Sequence, residues 1–379
     1  IEKARSCFER AAEIDPEYAL PYAGLGQLHT MRYIASTDPR DLEDGISQLQ
    51  KAIELDPGLV EPYLWLTYAY ARQAKYEEAL STGRHAVKCE PDNPNSCYFV
   101  AVAIWLRWGL DGVVDDLREA EEMLRNTNRL APRYQAGFQV LGDIYLRSGR
   151  YADARRTLLQ AAEIEESGDF ELAKFVGAIT LLGRLAARQG DLAGALDYYH
   201  RSEEISGATE HVYSPANRAL VCCGRAEVLL RQKKSDEALP LFRRATEIAT
   251  ENSRSLGIGW MQLRAKIGTA RCFRQIGMHR EEKSAFEAAE KLFREQKNFD
   301  FSGIWEGGNG AIHYEFAVVH AQANRAEEAE KSIRSAWAAG WREFPRMEHE
   351  PELSRLRKAL PFRSAVTDLK NRDSGPLSN

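Results

Sequence analysis

Large apolar residues recur along the chain at i, i+3, i+4 and i+7, with charged residues on the opposite side. That period predicts one amphipathic helix after another from the first residues to about residue 340. The stripes are interrupted by a recurring stop: Ala12 to Pro16, Ile53 to Pro57, Lys88 to Pro91 and Arg129 to Pro132. Each proline ends a helix, because it lacks an amide donor and biases the residue before it away from helical angles. The prolines at 16, 57, 91 and 132 are 41, 34 and 41 residues apart. A regular interval of this size is the signature of a stacked repeat, in which one unit cannot bury its apolar face alone.

The residues at fixed places in each unit resemble the tetratricopeptide repeat (TPR), a helix pair of 34 residues. The fullest copy has Phe138, Leu141, Gly142 and Tyr145 on the first helix, then Gly149, Ala154, Leu158 and Ala161. Others carry Tyr22, Leu25, Gly26, Gly45, Leu49 and Ala52, or Tyr63, Leu66, Tyr70, Ala79 and Ala86. A more degenerate copy has Cys97, Val100, Ala120 and Leu124. Later copies hold Leu182, Gly183, Ala195 and Tyr199; Ala226, Ala238, Phe242 and Ala245; Ala270, Gly277, Phe286 and Ala289; and Ala317, Ala329, Ile333 and Ala336. Ala4, Phe8, Ala11 and Pro16 read as a second helix without its first. The resemblance implies an all-α, right-handed superhelix of about eight helix pairs plus an N-terminal half repeat.

The usually small residue of each second helix (Gly45, Ala79, Ala120, Ala154, Ala195, Ala238, Glu282, Ala329) gives steps of 34, 41, 34, 41, 43, 44 and 47. Seven extra residues are almost two helical turns, so longer helices keep their apolar face in register. Glu282 departs from the small-residue rule. Residues 1–168 are expected to be regular repeats and 169–340 longer-helix repeats, with the polar stretch Glu165 to Asp169 between them and one continuous solenoid overall. Residues 341–365 resemble the closing segment of bacterial TPR proteins, which covers the last apolar face; 366–379 is a polar, disordered tail.

Composition narrows the function. Of 379 residues, 44% are hydrophobic and 28% charged, and the net charge is −5. This excludes a disordered or collagenous chain, and no apolar run is long enough to span a membrane. The mild acidity argues against a nucleic-acid binder. Six cysteines without a C-x-x-C pair suit a reducing compartment, and a cytoplasmic location is expected. The chain starts at Ile1, so a targeting signal or a further N-terminal part would lie outside it.

Candidate chemistry is thin. Glu348-His349-Glu350 lacks the spacing of a metal helix and belongs to the closing segment. Gly307 to Gly310 precedes a helix without the lysine of a phosphate loop and reads as a flexible loop. His313 and His320 share one helical face and read as core. No nucleophile motif is present, so no enzyme, cofactor or metal is expected. The lysine and asparagine clamp of chaperone-binding members and the asparagine ladder of sugar-transferase arrays are both absent.

In the TPR family the first helices line a concave groove. The matching positions here are Leu64, Tyr68, Tyr98 and Trp105, then Gln139 and Asp143, then Arg184, Arg188, Arg231, Arg264, Arg271 and Arg274. The groove thus runs from aromatic to basic. The resemblance implies a non-enzymatic protein–protein interaction scaffold taking a protein or peptide segment, acidic or phosphorylated, through aromatic anchors and bidentate arginines. An alternative is the regulatory or sensor module of a larger bacterial protein, a kinase or transcriptional regulator. A third reading is a small-ligand pocket near Trp260 and Trp305. Exposed end helices would allow oligomers.

Overall fold

The computed structural model describes residues 2–168, 177–208, 213–254, 257–295, 308–354 and 367. Among them no strand occurs, and eighteen α-helices follow one another. α1 (Glu2–Ile14) is the unpaired half repeat. Eight antiparallel pairs follow: α2/α3 (Ala19–Ser36, Pro39–Leu55), α4/α5 (Glu61–Arg72, Tyr76–Cys89), α6/α7 (Pro94–Asp111, Leu117–Leu130) and α8/α9 (Gln135–Arg147, Tyr151–Ser167). The second half holds α10/α11 (Ala178–Arg188, Leu192–Ala208), α12/α13 (Ser214–Arg231, Ser235–Glu251), α14/α15 (Ile258–Ile276, His279–Glu295) and α16/α17 (Gly308–Gln322, Ala326–Ala338). The short α18 (Phe344–His349) and a 3-10 turn at Pro351–Leu353 belong to the closing segment. Residues 355–366, the tail from 368 and Trp305 lie outside the described residues.

The pairs form because a small residue on one helix admits a large one from its partner. A Cβ on Gly142 would meet the Leu158 side chain at 2.5 Å, so glycine there lets α8 and α9 approach. Each first helix also packs on the first helix of the next pair, as in α4 on α6 and α12 on α14, making an inner layer. The second helices form the outer layer. Glu282, at a position that is otherwise small, is buried and ion-paired to Arg274 Nη1 at 3.2 Å. A buried carboxylate is tolerated there because a cation at the end of the paired helix reaches it.

One apolar cluster reaches from Val60 to Val319, with a second cluster around α11 (Ala195, Tyr199) beside it. At the polar stretch after α9, Gly168 takes a left-handed conformation (φ 67°) and closes the helix. Glu165 then ties α9 to α10, accepting from the backbone amides of Gly177 (2.8 Å) and Ile179 (3.2 Å). Burial pushes the Glu165 carboxyl up to about 7, against those amides. A carboxyl raised in the folded state contributes stability that is present below its unfolded value and lost as pH rises through about 7. Unfolding in urea should therefore show Glu165→Gln gaining on the wild type between pH 4.5 and 7.5, by up to about 3 kcal/mol. A constant gap across that range would contradict the assignment.

In the steps that contain α6 and α14 the extra residues lengthen first helices, whereas α10 has only 11 residues. α4 has 12 residues, whereas α6 has 18 and α14 has 19. The C-terminal end of α6 meets the last pair. The array coils until its last pair returns to α6. There the Trp108 indole donates to the Gly340 carbonyl at 2.7 Å, and Asn309 Nδ2 donates to the Leu110 carbonyl at 3.0 Å. Gly308 to Gly310, expected as part of a flexible loop, instead open α16 against α6; a Cβ on Gly308 would collide with the Gly109 backbone. Gly307 lies outside the described residues.

Candidate functional site: an arginine-lined inner face

The side chains assigned to the groove lie on first helices but do not face open water. Leu64, Tyr68, Tyr98, Trp105, Gln139, Asp143, Arg184, Arg188, Arg264 and Arg271 are buried, and Arg231 and Arg274 are half-buried. Two parts of the same chain cover them.

Over the aromatic stretch, Tyr213, just before α12, packs with Tyr33, Leu42 and Ala69. Tyr68 stands edge-on to Phe99, Tyr98 lies 4.9 Å from Tyr134, and Arg72 sits over the Tyr68 ring. Trp105 turns its indole toward the middle of the face and donates to Asp143 Oδ2 at 2.9 Å. Gln139 Oε1 accepts from Gln135 at 2.8 Å.

Over the basic stretch lie Trp341 to Leu353. Arg188 Nε is 3.0 Å from Glu343 Oε1, which also accepts from the Tyr151 hydroxyl at 3.1 Å. Arg231 lies 3.9 Å from Glu350 and donates to the Ala187 carbonyl at 2.6 Å. Arg271 reaches three carboxylates: Glu352 at 3.0 Å, Glu315 at 3.5 Å and Glu350 at 3.8 Å. Arg264 grips Glu227 in bidentate fashion, at 2.9 and 2.7 Å. Arg274 is the exception, turned outward to Glu282 and His279. Trp341 stacks on Tyr314 with centroids 4.6 Å apart, and Met347 and Leu353 are buried beside it.

The electrostatics follow from this crowding. Burial opposes charge on Glu352, yet Arg271 holds its carboxyl down at about 2. Burial likewise opposes charge on Arg271, and Glu352, Glu350 and Glu315 together raise it. Arg147 has no such surplus of carboxylates. Burial pulls it down to about 10, with Asp143 opposing the drop and Arg184 adding to it.

The sequence reading missed the acidic half of the face: Glu227, Glu315, Glu343, Glu350 and Glu352, and with them Arg346, which pairs with Glu315 and Glu350. The available signal was the run of glutamates between 343 and 352, spaced to meet arginines on successive first helices. Trp260, offered as a pocket wall, is buried in the continuous core. His313 and His320 pack edge-on against Phe293 and Phe286, and burial lowers both, His320 to about 4. Among the described residues no group of three or more His, Cys, Asp or Glu side chains could hold a metal, and no helix is long and apolar enough to cross a membrane.

Comparison with known proteins gives a consistent result. A tetratricopeptide repeat family model matches residues 114–170. A TPR repeat-containing protein of Methanocaldococcus jannaschii is 25% identical over 228 residues, covering 56% of this chain and 37% of that protein. The chain thus spans little more than a third of the curated relative it matches. Among solved structures, a chain of the APC/C hetero-tetramer Cut9-Hcn1 superposes with a TM-score of 0.51 at 14% identity, over 86% of this chain and 52% of that one. Yeast Tom70 gives a TM-score of 0.49 at 17% identity, over 97% and 62%. The phase of the sequence repeat, the pairing of the helices and the family model matched over residues 114–170 agree that the chain carries tetratricopeptide repeats.

Proposed function

We propose that this chain is a non-enzymatic protein–protein interaction scaffold whose arginine face takes an acidic segment of a partner. The supporting observation is the occupant that the face already has. Glu343, Glu350 and Glu352 of the closing segment meet Arg188, Arg231 and Arg271, each on a different first helix. Guanidinium groups spaced along successive repeats select a chain of carboxylates at matching intervals. An acidic partner therefore competes with the chain's own segment, and the effective concentration of that tethered segment sets how strongly.

The same occupancy supports the reading of a regulatory module, in which docking and release of the closing segment are the two states. The test for both is binding of a labelled peptide copying residues 341–354. It should bind the full chain weakly and bind a Glu343→Gln/Glu350→Gln/Glu352→Gln variant at least tenfold more tightly, with an affinity that falls with salt. Equal binding to the two proteins would remove the arginine face as the site.

A further inference from the structure

Beneath the closing segment lies a cavity that the ion pairs do not fill. It offers about 20 Å³ to the centre of a water-sized sphere, more than the roughly 10–15 Å³ that one water needs. Its cationic wall is Arg147, Arg184, Arg188, Arg264 and Arg346. Only Glu315 and Glu343 line it from the acidic side. Asp143 lies behind Arg147 and Arg184, and Glu227 behind Arg264.

Adding Arg231, Arg271, Glu350 and Glu352, the ion-pair groups around the cavity hold seven guanidiniums, of which Arg231 is half-buried, against six carboxylates. Arg147 shares the one carboxylate of Asp143 with Arg184. Its Nη1 is buried with no hydrogen-bond acceptor among the described residues; Asp143 Oδ2 is 3.6 Å away. The Trp108 ring, 3.7 Å from the guanidinium carbon, covers one face of Arg147. Buried charge without a matching acceptor is costly, and a bound counter-ion is the direct remedy.

We propose that this cavity is a binding site for one small tetrahedral oxyanion of the phosphate type. Guanidiniums approach from α8, α10, α14 and α18, that is, from several directions. A tetrahedral anion offers oxygens in all of them, whereas a carboxylate offers two in one plane. The size of the cavity excludes larger phosphorylated molecules. Because Trp341, Glu343 and Arg346 form part of the wall, the anion bridges the closing segment to the inner helices, so occupancy and docking of the segment stabilise one another. This site shares Arg188 and Glu343 with the peptide contacts proposed above, and Arg147, which makes none of those contacts, distinguishes the two.

The experiment is calorimetric titration of inorganic phosphate into the full chain, with chloride holding the ionic strength constant. One saturable site per chain is expected, with a Kd at or below about 1 mM. Arg147→Gln should weaken it at least tenfold. Ala311→Leu, which fills the cavity from α16 without altering a charge, should abolish it. Heats that do not saturate, competition by chloride at equal concentration, or unchanged binding in Ala311→Leu would each overturn the assignment.

Discussion

Alanine at Gly340 is expected to destabilise the chain by roughly 2–5 kcal/mol, well beyond what the same change does at Gly190. Both glycines follow a helix in the left-handed region, at φ 79° and 84°. A side chain there costs about 1–2 kcal/mol by itself. Around Gly190 a new Cβ would meet nothing within 4 Å. At Gly340 it would stand 2.6 Å from the Cα of Gly112, a rigid backbone atom at the end of α6. Relieving that contact moves two backbones and adds about 1–3 kcal/mol, as overpacking does elsewhere. It also pulls the Gly340 carbonyl from the Trp108 indole, leaving a buried donor without its acceptor. Urea unfolding of the two variants measures the difference, and hydrogen exchange locates it. In Gly340→Ala, the amides of residues 341–353 should exchange faster than in Gly190→Ala. Equal losses in both would mean that the return of the array to α6 contributes nothing to stability.

Arg271→Met should be nearly as damaging, at about 3–5 kcal/mol near neutral pH. Breaking one partner out of a buried ion cluster leaves the others desolvated without compensation. Here the orphans would be Glu315, Glu350 and Glu352, of which Arg346 compensates only the first two. The pH dependence has a definite sign. In the wild type Glu352 sits at about 2, below its unfolded value, so its contribution is present above that value and lost as pH falls toward 2. In the variant the same carboxyl, buried and without its cation, takes up a proton more readily than in the wild type. The gap between the two proteins should therefore narrow as the pH falls from 7 toward 4. Adding Glu352→Gln to Arg271→Met should recover part of the loss at pH 7, because it removes the one orphaned charge that Arg346 does not compensate. No recovery would place the loss in packing around the arginine stem instead.

Much of this molecule is local and therefore legible. The helices, their number and their pairing follow from a period of apolar residues and from small residues at fixed offsets, such as Gly142 against Leu158. These interactions lie within one or two repeats, where sequence distance is a fair guide to spatial distance. The inner positions could be named for the same reason. Tyr68, Tyr98, Arg188 and Arg271 do lie on the inner layer. The long step before Ala120 even marked α6 as unusual.

What lay across the inner face depended on curvature. Small rotations between neighbouring pairs accumulate over the whole array, and no single repeat encodes their sum. Trp108 and Gly340 are 232 residues apart, and nothing in the local pattern of either predicts the other. The sequence alone determined a stack of eight helix pairs with a basic inner stretch and a closing segment after the last pair. Only the tertiary structure brought those two together, because the C-terminal end of α6 meets the last pair, and buried charge is tolerated only where such a return supplies its counter-charge.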